Sequence, residues 1–322
     1  MRVFFASIRP LNLLVIIITM VFMEYLVIDS LLFKLNELME KSYTLQLSTL
    51  QFVLLVLSVV CIAAGGYVLN DQMDVKADKV NHKNKETLDA KTASIAYYSL
   101  TLSGLGIALF ISYQLGIVNL TVMHLIAAVS LWFYSNQFKG MPLTGNLITA
   151  MVIALVPITV GIFEVTQLQI NYASDFEAYK NFNFNFIAYW VLSFGVFIFL
   201  FTLARELVKD LEDMDGDRAA GYNTLPIATS IKTTKILAIF CYVIIIGLAY
   251  YFSNYIVVDN YSFGFSLLLI ALVLWLMFGL WRAQEKKDFS KESLKIKAVS
   301  FYGLLYALVV YILMHTNEFT SV

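Results

Sequence analysis

The sequence predicts an all-α integral membrane protein, a bundle of nine transmembrane helices. Three observations support this fold class. Hydrophobic residues make up 60% of the 322 residues and charged residues only 14%, against about 25% charged residues in an ordinary soluble domain. Uncharged apolar stretches reach the length of about 18 residues that crosses a bilayer as a helix. Finally, basic residues are distributed unevenly between the connections that join these stretches.

Nine apolar stretches can be marked along the chain. They lie near residues 11–33, 48–69, 93–113, 117–135, 143–163, 184–204, 234–253, 262–281 and 297–314. Each has the length and hydrophobicity of a membrane span. We expect one transmembrane domain over residues 1–322, with cytoplasmic cap loops near 70–92 and 205–233.

The distribution of Lys and Arg predicts how the spans are oriented. Of the 22 basic residues, only Lys34, Lys41 and Lys180 fall in the alternate connections assigned to the outside. Cytoplasmic connections carry the excess of Lys and Arg in membrane proteins. The sequence therefore predicts a multi-pass protein of the cell (inner) membrane, with its N-terminus in the cytoplasm and its C-terminus outside.

Charge and cysteine content exclude some classes of function. The formal net charge is −1 and no basic run is interleaved with aromatic residues in a polar segment, so we expect no nucleic-acid partner. Cys61 and Cys241 both lie within apolar stretches, which argues against a disulfide framework.

Two segments each hold three aspartates at positions i, i+3 and i+7. The first set is Asp71, Asp74 and Asp78, and the second is Asp210, Asp213 and Asp217. At about 100° per residue these positions fall in one narrow stripe of a helix. Each set begins where an apolar stretch ends, on the same predicted membrane face. Two helix ends on that face are therefore expected to present a row of carboxylates each.

These two rows of carboxylates suit Mg²⁺. This ion prefers octahedral oxygen coordination, shared between a few carboxylates, waters and substrate phosphates. The alternative is that the aspartates are ordinary solvated acids, which would suffice for one such set. Two sets with identical spacing on one membrane face favour a functional site, because acidic clusters at the membrane are costly to maintain.

Four stretches of sequence resemble the UbiA family of intramembrane prenyltransferases. NDQMDVKAD at 70–78 is similar to the first aspartate signature of the family, and KDLEDMDGDRAAGYNTLP at 209–226 is similar to the second. RPLN at 9–12 and FKGMPLTGN at 138–146 are further matches. The resemblance implies a UbiA-like bundle around a central cavity and Mg²⁺-dependent transfer of an isoprenyl group from an isoprenyl diphosphate.

The resemblance also implies roles for individual residues. The expected metal ligands are the six aspartates Asp71, Asp74, Asp78, Asp210, Asp213 and Asp217. The expected catalytic residues are Asp71, Asp74, Asp210, Asp213 and Lys139. Diphosphate-binding roles fall to Asn70, Lys139, Lys209 and Arg218, because the negative charge of the leaving group needs compensation beyond the metal.

Departures from the family pattern leave the acceptor open. Lys85 stands where many members have an arginine, and Gly140 replaces the second cation after Lys139. One candidate acceptor is a lipid phosphate such as geranylgeranylglycerol phosphate, as in the similar bacterial geranylgeranylglycerol-phosphate geranylgeranyltransferases. The other is an aromatic acid of quinone synthesis. Membrane lipids are expected partners in either case.

A multi-span transporter is the alternative from another class. Transporter acids usually lie near the bilayer midplane in broken helices, whereas both aspartate sets lie at span ends. The enzyme hypothesis makes a geometric prediction. The two rows should face each other across one cavity at roughly 6–12 Å, with metals and diphosphate between them. Lys139 should lie at its rim, and Lys34, Lys41 and Lys180 at the opposite membrane face.

Overall fold

The computed structural model describes residues 2–80, 86–178 and 183–316, and within these ranges the regular structure is helical. Nine of the described helices are long and apolar enough to cross a membrane. They are α1 (Pro10–Met39), α2 (Thr49–Met73), α3 (Ala90–Gln114), α4 (Val118–Phe138), α5 (Thr144–Asn171), α6 (Asn185–Ala220), α7 (Ile231–Ile256), α8 (Asn260–Arg282) and α9 (Lys286–His315). The all-α fold with nine candidate spans is confirmed.

Several helices continue beyond the apolar stretch that identified them. The helix α6 runs for 36 residues and ends at Gly221, whose backbone is left-handed with φ 80°, as expected of a glycine that terminates a helix. The helix α9 begins at Lys286, within a lysine-rich segment. The segments expected as cap loops therefore contain more helix than that term implies: besides this end of α6, a short helix, Val75–Val80, follows α2.

Six of the nine long helices surround a central cavity. The helices α1, α2, α4, α5, α6 and α9 contribute its lining. Each packs against the next, and α9 closes the ring against α1. The helix α3 packs outside α2 and α4, while α7 and α8 pack on the outer side of α6 and α9.

Small residues bring α2 and α3 close together. A Cβ atom placed on Gly104 would lie 2.7 Å from the carbonyl oxygen of Ser58, and one on Gly65 would lie 2.6 Å from Oγ1 of Thr101. Membrane helices that lack side-chain bulk at the interface can approach backbone to backbone. Gly106, on the same helix as Gly104, has no atom within 4 Å of such a position.

The half of the bundle away from the aspartate rows, called here the outer half, is solidly packed. Its core includes Met23, Leu55 and Phe163, each 0% exposed. The buried carboxylate of Glu164 accepts hydrogen bonds from the backbone N–H groups of Gln46 and Leu47, both at 2.8 Å. The connection between α1 and α2 is thereby tied into the bundle, because Glu164 satisfies backbone donors that a membrane would leave unpaired.

Two of the three lysines expected at the outer face lie at that end. Lys41 contacts Asp175 at 3.2 Å, just beyond the end of α5. Lys34, near the end of α1, contacts Glu37 at 2.7 Å. Lys180 lies outside the described residues.

Candidate active site

The first aspartate row lies at the end of α2 and on the short helix after it. Asp71 is 3% exposed, and Asp74 follows one turn later at the helix end. The amide of Asn70 donates to Oδ2 of Asp74 at 2.9 Å, which fixes the rotation of that carboxylate. Asp78 is carried by the helix Val75–Val80. The i, i+3, i+7 spacing thus places all three on one side, despite the break at Asp74.

Two cations form salt bridges with carboxylates of this first row. Arg9 precedes α1 in a left-handed conformation with φ 52°, and its Nη2 lies 2.8 Å from Oδ1 of Asp71. Burial alone would lower the pKa of Arg9, but the neighbouring Asp71 carboxylate outweighs it and the pKa is raised. The guanidinium also lies over the Tyr67 ring, 5.1 Å from its centre.

Lys139 is the second cation at this row, in the short connection between α4 and α5. Its Nζ contacts Oδ1 of Asp74 and donates to Oδ1 of Asn70 at 2.7 Å. Burial lowers the pKa of Lys139, and the charge of Asp74 acts against that effect. Lys139 therefore bridges α4 to the end of α2 through oxygen atoms that sequence analysis assigned to metal and phosphate.

The second row lies on the extension of α6 beyond its apolar part. Oδ2 of Asp210 accepts a hydrogen bond from Nδ2 of Asn146 at 3.0 Å. Near the helix end, Thr224 donates to Oδ2 of Asp217 at 3.4 Å. Asp213 lies between them on the same helix face. The uncharged donors Asn146 and Thr224 orient carboxylates of this row.

The two rows meet at one end of the cavity. The helix Val75–Val80 packs against α6. Burial raises the pKa of Tyr222, and the negative charges of Asp74 and Asp217 raise it further, so this hydroxyl lies near one carboxylate of each row. The backbone N–H of Asn223 donates to the carbonyl of Gly140 at 2.9 Å. The connections after α4 and α6 thus cover the rows together.

The cavity has a volume of about 870 Å³. Nine of the ten residues to which sequence analysis gave a role line it: Asn70, Asp71, Asp74, Asp78, Lys139, Lys209, Asp210, Asp213 and Asp217. Arg218 is exposed and is not among the lining residues. The structure therefore brings both rows and two of the three expected cations together, and leaves Arg218 apart.

The cavity is apolar away from the rows. Its walls there include Ile62 of α2, Leu131 of α4, Val156 of α5 and Ile198 of α6. At its far end His124 lies 3.1 Å from Oγ of Ser58. Val59, the first residue of α2 in the lining, lies eleven residues before Asn70, so the lining extends about 16 Å along α2 at 1.5 Å per residue.

Several polar lining residues had no assigned role in the sequence analysis. Arg9 and Asn146 were recognised only as parts of the RPLN and FKGMPLTGN matches. Arg205 and Lys297 were counted only as basic residues of the cytoplasmic face, yet both line the cavity. Their positions could not be deduced from spacing, because they come from helices that are distant in sequence.

The donor set at the rows suits a hard cation. It consists of carboxylate and amide oxygens, which Mg²⁺ prefers, and Asp74 and Asn70 already accept the ammonium group of Lys139. Among the described residues, no three acidic, histidine or cysteine side chains are close enough together to hold a metal by themselves. Mg²⁺ commonly completes its coordination with waters and substrate phosphates.

A family model described as the UbiA prenyltransferase family matches residues 42–305. The chain is also similar to proteins named digeranylgeranylglyceryl phosphate synthase. That of Sulfolobus acidocaldarius is 35% identical over 58% of this chain and 60% of its own length. That of Sulfurisphaera tokodaii is 28% identical over 70% and 72%. That of Thermococcus gammatolerans is 26% identical over 80% and 84%.

Solved structures of related proteins share the fold. A digeranylgeranylglyceryl phosphate synthase structure aligns with a TM-score of 0.68 at 21% identity, over 97% of this chain and 98% of the other. The apo structure of a UbiA homolog from Aeropyrum pernix K1 gives 0.63 at 12%, over 92% and 98%. A UbiA homolog from Archaeoglobus fulgidus, bound to GPP and Mg²⁺, gives 0.53 at 15%, over 96% and 99%.

Proposed function

Because the chain belongs to the UbiA prenyltransferase family, we propose that it transfers an isoprenyl group from an isoprenyl diphosphate to a glycerol-phosphate lipid. One observation carries the proposal: two aspartate rows and Lys139 line the acidic end of a cavity whose remainder is apolar. Such a cavity can take a diphosphate at one end and its hydrocarbon chain at the other. The names of the similar archaeal proteins support geranylgeranylglycerol phosphate as the acceptor and a geranylgeranyl group as the group transferred.

Mg²⁺ is the cofactor that these residues would hold. The first row (Asp71, Asp74 and Asp78) and the second row (Asp210, Asp213 and Asp217) line one cavity and would supply oxygen ligands. When bound, Mg²⁺ would neutralise charge on the diphosphate and so stabilise its departure. A cation between the rows would also relieve the repulsion between their carboxylates.

The reaction balances without any further reactant. The bond between the first carbon of the isoprenyl group and the diphosphate oxygen breaks, and its electron pair leaves with the diphosphate. The acceptor hydroxyl oxygen forms the new bond to that carbon, giving an ether. The hydroxyl proton passes to the departing diphosphate, so hydrogen diphosphate and the prenylated lipid are the products.

Residues of this chain would stabilise the charges in this step. Lys139 and Lys209 line the acidic end of the cavity, and both can compensate negative charge that develops on the leaving group. Lys139 would exchange its contact with Asp74 for one with phosphate. Asn70 and Asn146 would keep Asp74 and Asp210 oriented, through the bonds that they donate to them.

The apolar walls would protect the reacting carbon. An allylic cation reacts with water if water reaches it, so the cavity must exclude water where the cation forms. Ile62, Leu131 and Val156 line that part of the cavity. The tight packing of the outer half, around Phe163, closes it from the other side.

The charge distribution supports placing the site on the cytoplasmic side of the membrane. Among the described residues, most lysines and arginines lie toward the end of the bundle that carries the rows. In membrane proteins the cytoplasmic side carries the excess of Lys and Arg. The N-terminus would then be inside the cell and the C-terminus outside.

A product assay tests the proposal. Purified protein with Mg²⁺ and geranylgeranyl diphosphate would be offered geranylgeranylglycerol phosphate and, separately, 4-hydroxybenzoate. We expect the mass of a di-prenylated glycerol phosphate, loss of turnover with a chelator, and recovery with Mg²⁺. Prenylation of the aromatic acid alone would contradict the proposed acceptor, and unchanged turnover with the chelator would contradict the metal role.

A further inference from the structure

A second polar group faces the cavity, apart from the aspartate rows. Lys297 of α9 donates to Oδ1 of Asn12 of α1 at 3.0 Å. Arg205 lies on α6, which packs against the part of α9 that carries Lys297. Both side chains line the cavity. We call Asn12, Arg205 and Lys297 together the lateral basic group.

The lateral basic group carries more positive charge than its neighbours neutralise. Arg205 is paired with Glu206 at 2.8 Å, whereas the hydrogen-bond partner of Lys297 is the neutral amide of Asn12. Two cations close together in a partly desolvated cavity repel each other. Such an arrangement is favourable when an anion binds between them, so it is typical of a site for a phosphate or carboxylate.

The cations near the rows form a separate set. Lys139 contacts Asp74, and the neighbouring cations that act on its charge are Lys209 and Arg9. Lys297 contacts Asn12, and the neighbouring cation that acts on its charge is Arg205. A reaction between a diphosphate and a phosphate lipid brings two anions into one cavity. Lys139, in the connection after α4, and Lys297, on α9, would each hold one of these anions while their reacting atoms approach.

The cavity also reaches the protein surface beside the lateral basic group. Leu294 and Phe301 of α9 line the cavity, yet they are 71% and 39% exposed. Lys297 lies between them on the same helix. A lipid tail could therefore lie along α9 while its polar head contacts Lys297.

We propose that Lys297 and Arg205 bind the phosphate of the acceptor lipid, with Asn12 orienting Lys297. The inference rests on the proposed function and adds the location of the acceptor head group. With the phosphate held at α9 and α6, the glycerol hydroxyl can point toward the donor carbon. The lateral basic group would thereby select a phosphate-bearing acceptor over the same lipid without phosphate.

Steady-state kinetics of Lys297→Met test this inference. The donor is geranylgeranyl diphosphate with Mg²⁺, and the acceptors are geranylgeranylglycerol phosphate and the phosphate-free alcohol. We expect Lys297→Met to raise the acceptor KM at least tenfold while the donor KM stays within twofold. Lys297→Arg should restore most of the affinity, because it keeps the charge. The matched control is Lys291→Met, because Lys291 lies on the same helix, is exposed and is not among the lining residues.

Wild-type protein provides a measurement that needs no variant. Its KM for the phosphate-bearing acceptor should be at least tenfold lower than for the alcohol. Equal values would overturn the inference, as would an unchanged acceptor KM or an equally raised donor KM in Lys297→Met. Failure of the proposed function looks different: the wild type would prenylate 4-hydroxybenzoate and neither glycerol lipid.

Discussion

At the scale of single residues, the two aspartate rows differ in what holds them. Asp71 and Asp74 contact the cations Arg9 and Lys139, whereas Asp210 accepts a hydrogen bond from the amide of Asn146. A metal at the first row must therefore compete with positive side chains. At the second row, Asp210 and Asp217 accept hydrogen bonds from the uncharged groups of Asn146 and Thr224. A bound diphosphate would end the competition at the first row, because its oxygen atoms can contact the ammonium group of Lys139 in place of Asp74.

The first prediction concerns one carboxylate in each row. Asp71→Asn and Asp210→Asn should each lower turnover about 100-fold or more, because each removes a charged ligand without changing side-chain size. The control is Asp215→Asn, since Asp215 lies on the same helix as Asp210 but is exposed and does not line the cavity. Product formation with geranylgeranyl diphosphate measures the effect. Near-normal turnover in either row variant would contradict a site shared by both rows.

The second prediction compares Lys139 and Arg218, a lysine and an arginine that were both expected to bind the diphosphate. Lys139→Ala should raise the donor KM or lower kcat by about tenfold or more, because Lys139 lines the cavity and contacts Asp74 and Asn70. Arg218→Ala should stay within about twofold, because surface charges away from a site have small effects. Initial rates at varied donor concentration distinguish the outcomes. A change confined to the acceptor KM would indicate that Lys139 binds the acceptor and not the donor.

Spacing within one segment was enough to predict which side chains share one helix face. The i, i+3, i+7 pattern identified the six aspartates that line the cavity. It could not identify Lys297, Arg205 or Asn146, because their proximity depends on packing between helices that are far apart in the chain. Arg218 illustrates the converse, since it lies one position after Asp217 and therefore points away from the row.

At the scale of the helices, hydropathy predicted the number of spans but not their ends. The nine expected spans correspond to nine helices, because each crossing needs about 20 apolar residues whatever its partners. The polar extension of α6 has no such signature. Its course becomes clear only from its contacts with the helix Val75–Val80 and with Leu225–Ala228.

The close approach of α2 and α3 gives the third prediction. Gly104→Ala should destabilise the protein by about 1–3 kcal/mol, because the added methyl group would lie 2.7 Å from the Ser58 carbonyl oxygen. Gly106→Ala is the matched control on the same helix, since no atom lies within 4 Å of its Cβ position. Thermal unfolding in detergent compares the two. Equal unfolding temperatures would mean that α3 can shift to accept the methyl group.

At the scale of the whole molecule, the fourth prediction concerns orientation. After both native cysteines are replaced by alanine, a cysteine at exposed Lys291 should react with a membrane-impermeant maleimide only when the cytoplasmic face is accessible. A cysteine at exposed Asn119 should react only from the outside. The positive-inside rule sets this expectation, since Lys291 belongs to the lysine-rich beginning of α9, at the end that carries the rows. Labelling with the opposite sidedness would reverse the topology.

The packed outer half also has an electrical consequence. The cavity lies toward the end that carries the aspartate rows, and the core around Met23, Leu55 and Phe163 fills the other half. A transmembrane voltage falls mainly across the layer that excludes water and ions, at about 2.3 kcal/mol per charge for 100 mV. That layer is the outer half, so the diphosphate would lie outside most of the field. Release of a multiply charged product should therefore cost the same in an energised membrane as in a detergent micelle.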